Sequence, residues 1–75
     1  MTFVKGKAYH DATGRVWHVL CRNTLFDGTT VLTVARWMVG GPNIYAHAVV
    51  DDEIRATVLL DDGFTTIYSD DEVKE

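Results

Sequence analysis

This 75-residue sequence has one cysteine, one proline and no apolar run approaching the ~20 residues that span a membrane as a helix. Each scarcity removes a class of protein. Cys21 is alone, so it forms no internal disulfide, which fits a reducing, cytoplasmic setting. The longest stretch without charge, Trp37 to Val50, is broken by Gly40, Gly41, Pro42 and Asn43, so no membrane partner is expected. Met1 to Tyr9 holds Lys5 and Lys7 but no apolar core of signal-peptide length, so secretion is not expected. Catalytic signatures are missing as well. There is no Gly-rich phosphate loop, no oxyanion-hole motif and no EF-hand pattern.

What is present is a globular composition: 47% apolar and 24% charged residues. That excludes a disordered tail, a collagen-like repeat and a coiled coil. Residues 1–75 read as a single small domain. Such a domain buries roughly 60% of the surface its unfolded chain exposes. Its core supplies on the order of 3–5 kcal/mol of net stability.

Apolar residues recur with period two, the mark of half-buried strands. The alternating segments are Phe3–Tyr9, Arg15–Arg22, Thr30–Val39, Ile44–Val50, Ile54–Leu60 and Phe64–Tyr68. In the second, Trp17, Val19 and Cys21 share one face. In the fifth, Ile54, Ala56, Val58 and Leu60 point inward. Turns punctuate them at Ala12-Thr13-Gly14, Asp27-Gly28, Gly40–Asn43 and Asp61-Asp62-Gly63. Ser69 followed by Glu72 has the form of a capping box, so one terminal helical turn at most is expected. Five or six short antiparallel strands with two apolar faces must curl to bury both. The expectation is a mostly β fold: a small SH3-like or OB-like barrel, or a strongly bent sheet that dimerises to cover its second face.

The groups able to do chemistry are His10, His18, His47 and Cys21. His18 and Cys21 have a zinc-like spacing, but residues three apart on a strand point to opposite faces. A zinc site needs four converging ligands. No metal site, no cofactor and no catalytic residue is expected, and the protein reads as a non-enzyme.

Charge is unevenly distributed. Residues 1–50 carry five basic and two acidic side chains, and residues 51–75 carry nine acidic and two basic. The acidic ones form three clusters: Asp51-Asp52-Glu53, Asp61-Asp62 and Asp70-Asp71-Glu72. They serve solubility on one reading. On the other they form a stripe that meets a basic protein surface and steers association. Strand reversal would put 51–53 and 70–72 at one end of the barrel and 61–62 at the other. Trp37, between Arg36 and Met38, is the candidate apolar anchor, because all three types are enriched at interfaces. An alternative is a nucleic-acid-binding barrel using Lys5, Lys7, Arg15, Tyr9 and Trp17. The net charge of −4 makes nucleic acid an unfavoured partner. A structural subunit acting as a homodimer or larger homo-oligomer is a third possibility.

Phe3-Val4-Lys5-Gly6-Lys7-Ala8-Tyr9 followed by Gly14-Arg15-Val16-Trp17-His18-Val19-Leu20-Cys21 resembles the opening of small phage- or prophage-encoded β-domain proteins. In size and acidity the chain is similar to phage inhibitors of bacterial defence, such as anti-CRISPR and anti-restriction proteins. The resemblance implies an inhibitor that presents acidic groups to the basic, nucleic-acid-binding site of a partner protein in a bacterial cytoplasm.

Overall fold

The computed structural model describes residues 2–74; Glu75, one of the nine acidic residues above, and Met1, at the start of the segment read for a signal peptide, lie outside them. Six strands form: β1 (Ala8–Asp11), β2 (Val16–Thr24), β3 (Thr30–Arg36), β4 (Ile44–Asp52), β5 (Arg55–Leu60) and β6 (Gly63–Glu72). All neighbours are antiparallel, and β1 pairs with β6 to close the sheet into a barrel. The strands follow one another around the barrel in sequence order. This is an up-and-down meander, not the Greek-key order of an OB-like barrel. Closure gives each strand two neighbours, which shortens the edges open to pairing with another chain.

Alternation places the core as the period-two pattern requires. Trp17 and Val19 on β2, Leu32 and Val34 on β3, Ala48 on β4, Ala56 and Val58 on β5 and Ile67 on β6 are all buried. Ala46, Val50 and Leu60 pack against them. Small residues on β4 and β5 let the barrel close around Trp17 and Tyr9, its two largest buried side chains. The chain before β1 also contributes. Phe3 is buried edge-on against Tyr9, with centroids 5.0 Å apart, and the Val4 N–H donates to the Tyr9 hydroxyl at 2.9 Å.

Several local expectations are corrected. The opening strand starts at Ala8, five residues later than the alternation implies, although Gly6 and Lys7 already bond to Val19. A register shift between Val19 and Cys21 turns Cys21 away from the face of Trp17 and Val19. β3 ends at Arg36, so Trp37 belongs to the following loop. Ile54 is exposed in the β4–β5 turn.

No helical turn forms at Ser69, because β6 runs through to Glu72. Ser69 is buried, its N–H bonds the Ile54 carbonyl, and its Oγ donates to the Glu53 carbonyl at 2.9 Å. These partners hold the residue in the sheet more firmly than a local cap would hold a helix. Ser69→Ala is expected to lower stability by about 1–2 kcal/mol, read as a lower urea midpoint. An unchanged midpoint would contradict this role for Ser69.

Candidate functional site

Strand direction sets the two ends of the barrel. The β2–β3 and β4–β5 turns and the end of β6 lie at the first end. The β1–β2, β3–β4 and β5–β6 connections lie at the second. Asp51, Asp52 and Glu53 therefore sit at the first end with Asp70, Asp71 and Glu72, joined through the Ser69–Glu53 bond. Asp61 and Asp62 occupy the second.

The folded chain neutralises much of the first end. Glu53 accepts from Arg22 at 3.2 Å and from the hydroxyl of Thr2. Asp71 meets His10 at 3.3 Å, Glu72 meets Lys7 at 4.0 Å, and Asp51 meets Arg55 at 3.7 Å. Asp51 also accepts from the Thr57 hydroxyl, and Asp52 from the Ile54 N–H. Three of these four pairs bring a cationic or basic side chain of the first half onto a carboxylate of the last third. Among the described residues of the three clusters, Asp52, Asp61, Asp62 and Asp70 have no cation within 4.0 Å.

Asp11 is the one buried carboxylate among the described residues, and it is structural. It accepts from Trp17 Nε1 at 2.9 Å, Thr13 Oγ1 at 2.6 Å, Thr13 N at 2.8 Å and Arg15 N at 3.0 Å. Burial pulls its pKa up, but these hydrogen bonds from Thr13, Trp17 and Arg15 outweigh burial and hold it below the ordinary value. Glu53 is lowered by the Thr2 hydroxyl and Arg22, and Asp27 by the Thr29 N–H. Groups depressed in the folded state add stability above the unfolded pKa and lose it as pH falls through the folded pKa. These carboxylates are therefore expected to hold their full contribution above about pH 5 and to lose it steadily below about pH 4. Urea melts across that window check this. A midpoint that rose on acidification would refute it.

The outer face has a different character. Outward positions pair across the sheet in rows: Cys21, Thr33, His47, Leu59 and Phe64 in one; His18, Ala35 and Tyr45 in the next. None of these residues is an acid, a lysine or an arginine. Phe64 is 71% exposed, Tyr45 62%, Leu59 53% and Trp37 49%. Trp37 leans back from the β3–β4 loop onto His18, centroids 4.9 Å apart, and meets Tyr45 edge-on at 6.5 Å. His18 and Tyr45 flank Ala35, which is fully buried although it belongs to the outer row. Met38, next to Trp37 in the same loop, is also exposed.

Trp37 thus joins a set that sequence reading missed: Tyr45, Leu59 and Phe64. Their signal was parity. Each is a large apolar residue whose position has the opposite parity to the buried residues of its own strand. The nucleic-acid reading loses its aromatic residues, since Tyr9 and Trp17 are each only 1% exposed and cannot stack on bases. Among the described residues no three His, Cys, Asp or Glu side chains could hold a metal ion, and no helix is long and apolar enough to cross a membrane. No family model, curated protein or solved structure matches the chain.

Proposed function

We propose that this barrel is a non-enzymatic protein-binding module whose contact surface is the uncharged outer face centred on Trp37 and Tyr45 and continued by Leu59 and Phe64. The observation that carries this reading is the exposure of Tyr45, Leu59 and Phe64 in adjacent cross-strand rows without an acid, lysine or arginine, with exposed Trp37 leaning from the loop onto His18 and Tyr45. A small domain does not gain stability from such a face, and contiguous apolar exposure marks interaction surfaces. Trp37 is already held by His18 and Tyr45, so little freedom is lost when a partner covers it.

The acidic groups take a secondary part. With Asp51, Glu53, Asp71 and Glu72 engaged internally, Asp52 and Asp70 are the carboxylates of these two clusters without a cation among the described residues, and Asp52 is tied to the Ile54 N–H. By alternation along β6 Asp70 shares the outer face with Phe64 and Tyr68. A partner with basic groups around an apolar pocket fits this arrangement. An inhibitor of the type the resemblance implies would cover a basic, nucleic-acid-binding site on that partner. Nucleic acid would then compete with the barrel for it.

The test is affinity capture from the native cell. Leu59→Ser and Phe64→Ser, each on the solvent side, are expected to reduce recovery of the partner about tenfold while leaving the urea midpoint nearly unchanged. Asp70→Lys is expected to slow association and weaken its salt dependence. Full recovery with both serine variants would overturn the assignment of this face.

A further inference from the structure

The second end of the barrel carries an arrangement that the outer face does not explain. Its mouth is a hollow of about 390 Å³ floored by Trp17, Ile44 and Leu60. Four charged residues rim it: Arg15, Arg36, Asp61 and Asp62. Arg36 lies over the Trp17 ring, 5.8 Å from its centroid. None of the four has an ion pair within 4.0 Å among the described residues. At the first end, by contrast, opposite charges find each other inside one chain.

The position of the four around the ring decides what can fit. Arg15 immediately precedes β2, and Arg36 ends β3. Asp61 and Asp62 form the β5–β6 turn. In a closed barrel ordered β1 to β6, the β2–β3 side lies across the mouth from the β5–β6 side. The mouth is therefore divided, positive on one half and negative on the other, with an apolar floor between.

We infer that this mouth is a self-association surface, taking a second copy of the chain mouth to mouth about a two-fold axis. A two-fold in the plane of the mouth, running along the line between its halves, lays the arginine half of one copy over the aspartate half of the other, and the reverse pairing follows by symmetry. A patch carrying both signs in opposite halves is self-complementary, as an isologous interface must be. A wholly basic or wholly acidic partner would meet like charge on half of the mouth. The β3–β4 loop at the same end adds a fully exposed Val39, which the second copy would help to cover. This surface is distinct from the outer face, so the inference does not rest on the partner-binding reading.

Sedimentation velocity across about a hundredfold range of protein concentration tests it. The wild-type chain is expected to pass from monomer to dimer, and added salt to move the equilibrium back toward monomer. Two double variants sharpen the result. Arg15→Glu with Arg36→Glu makes the mouth wholly negative; Asp61→Lys with Asp62→Lys makes it wholly positive. Each alone is expected to dimerise at least about tenfold more weakly. Their equimolar mixture is expected to form a heterodimer, since opposite mouths then face each other. Phe64→Ser is expected to leave the dimer intact. A wild-type chain monomeric throughout would overturn the inference. So would a dimer that both charge variants leave unchanged, or one that Phe64→Ser abolishes.

Discussion

Asp11→Ala is expected to leave the protein largely unfolded at ambient temperature. The carboxylate does two jobs. One oxygen accepts the buried Trp17 indole N–H; the other gathers the Thr13 hydroxyl and the N–H groups of Thr13 and Arg15. The backbone at Asp11 reinforces the same turn. Its N–H bonds the Arg15 carbonyl, and its carbonyl accepts from Gly14 N, where φ is +83° and an alanine would be strained. Removing the side chain strands the indole donor in the core at about 1–3 kcal/mol. Losing the turn bonds and the filled space adds about as much again. The sum, about 2–6 kcal/mol, is comparable to the roughly 3–5 kcal/mol that one small core supplies. Asp11→Asn keeps the volume and one acceptor oxygen, and is expected to fold with a reduced midpoint and a flatter acid dependence. Placing Asp11→Ala in a Trp17→Phe background should cost less than in the native chain, because no indole N–H is left to strand. Urea melts of the four proteins settle the matter. Equal costs in both backgrounds would show that the Asp11–Trp17 bond is not the reason.

Asp11 was not visible as a structural residue in the sequence. The strands were, because alternation is local. Val58 and Ala56 must share a face whatever surrounds them, and Asp61-Asp62-Gly63 turns the chain wherever it lies. The errors occur where a distant partner decides. Ser69 with Glu72 reads as a cap, but the Glu53 carbonyl, 16 residues back, claims the hydroxyl. Trp17-Val19-Cys21 reads as one face, but the shifted register against β3 turns the last of them outward. Trp17 and Trp37 sit in similar-looking segments, and only the end of β3 at Arg36 separates the core residue from the exposed one.

The charge pattern shows the same limit. In the sequence, the basic first part and acidic last part form a dipole. Closing the barrel lays β1 against β6 and folds that dipole onto itself. His10 reaches Asp71 across 61 residues, and Arg22 reaches Glu53 across 31. Exposed pairs of this kind contribute about 0–1 kcal/mol each. Their larger effect is on the outward field, which they reduce at the end where two acidic clusters meet. The apolar outer face gains weight as the candidate contact because the acidic stripe loses it.

Trp37→Ala is accordingly expected to cost the most at the partner interface while costing little in stability. The ring lies outside the core, beyond the end of β3, and half of it faces solvent. Truncating it removes its ring contacts with His18 and Tyr45, about 0.5–1 kcal/mol of folding free energy. A pre-placed tryptophan at the centre of an apolar patch is the usual form of a binding hot spot, where truncation costs about 2 kcal/mol or more, close to thirtyfold in affinity. Trp37→Phe keeps an aromatic ring on His18 and is expected to lose only part of that. Trp17→Ala gives the opposite pattern: about 3–5 kcal/mol of stability lost from the core, and binding lost only because the fold is lost. Partner capture read beside a urea melt for each variant separates the two. If Trp37→Ala keeps the wild-type affinity within about twofold, the hot spot lies elsewhere on the barrel. If it unfolds the domain, the ring is a core element and not an anchor.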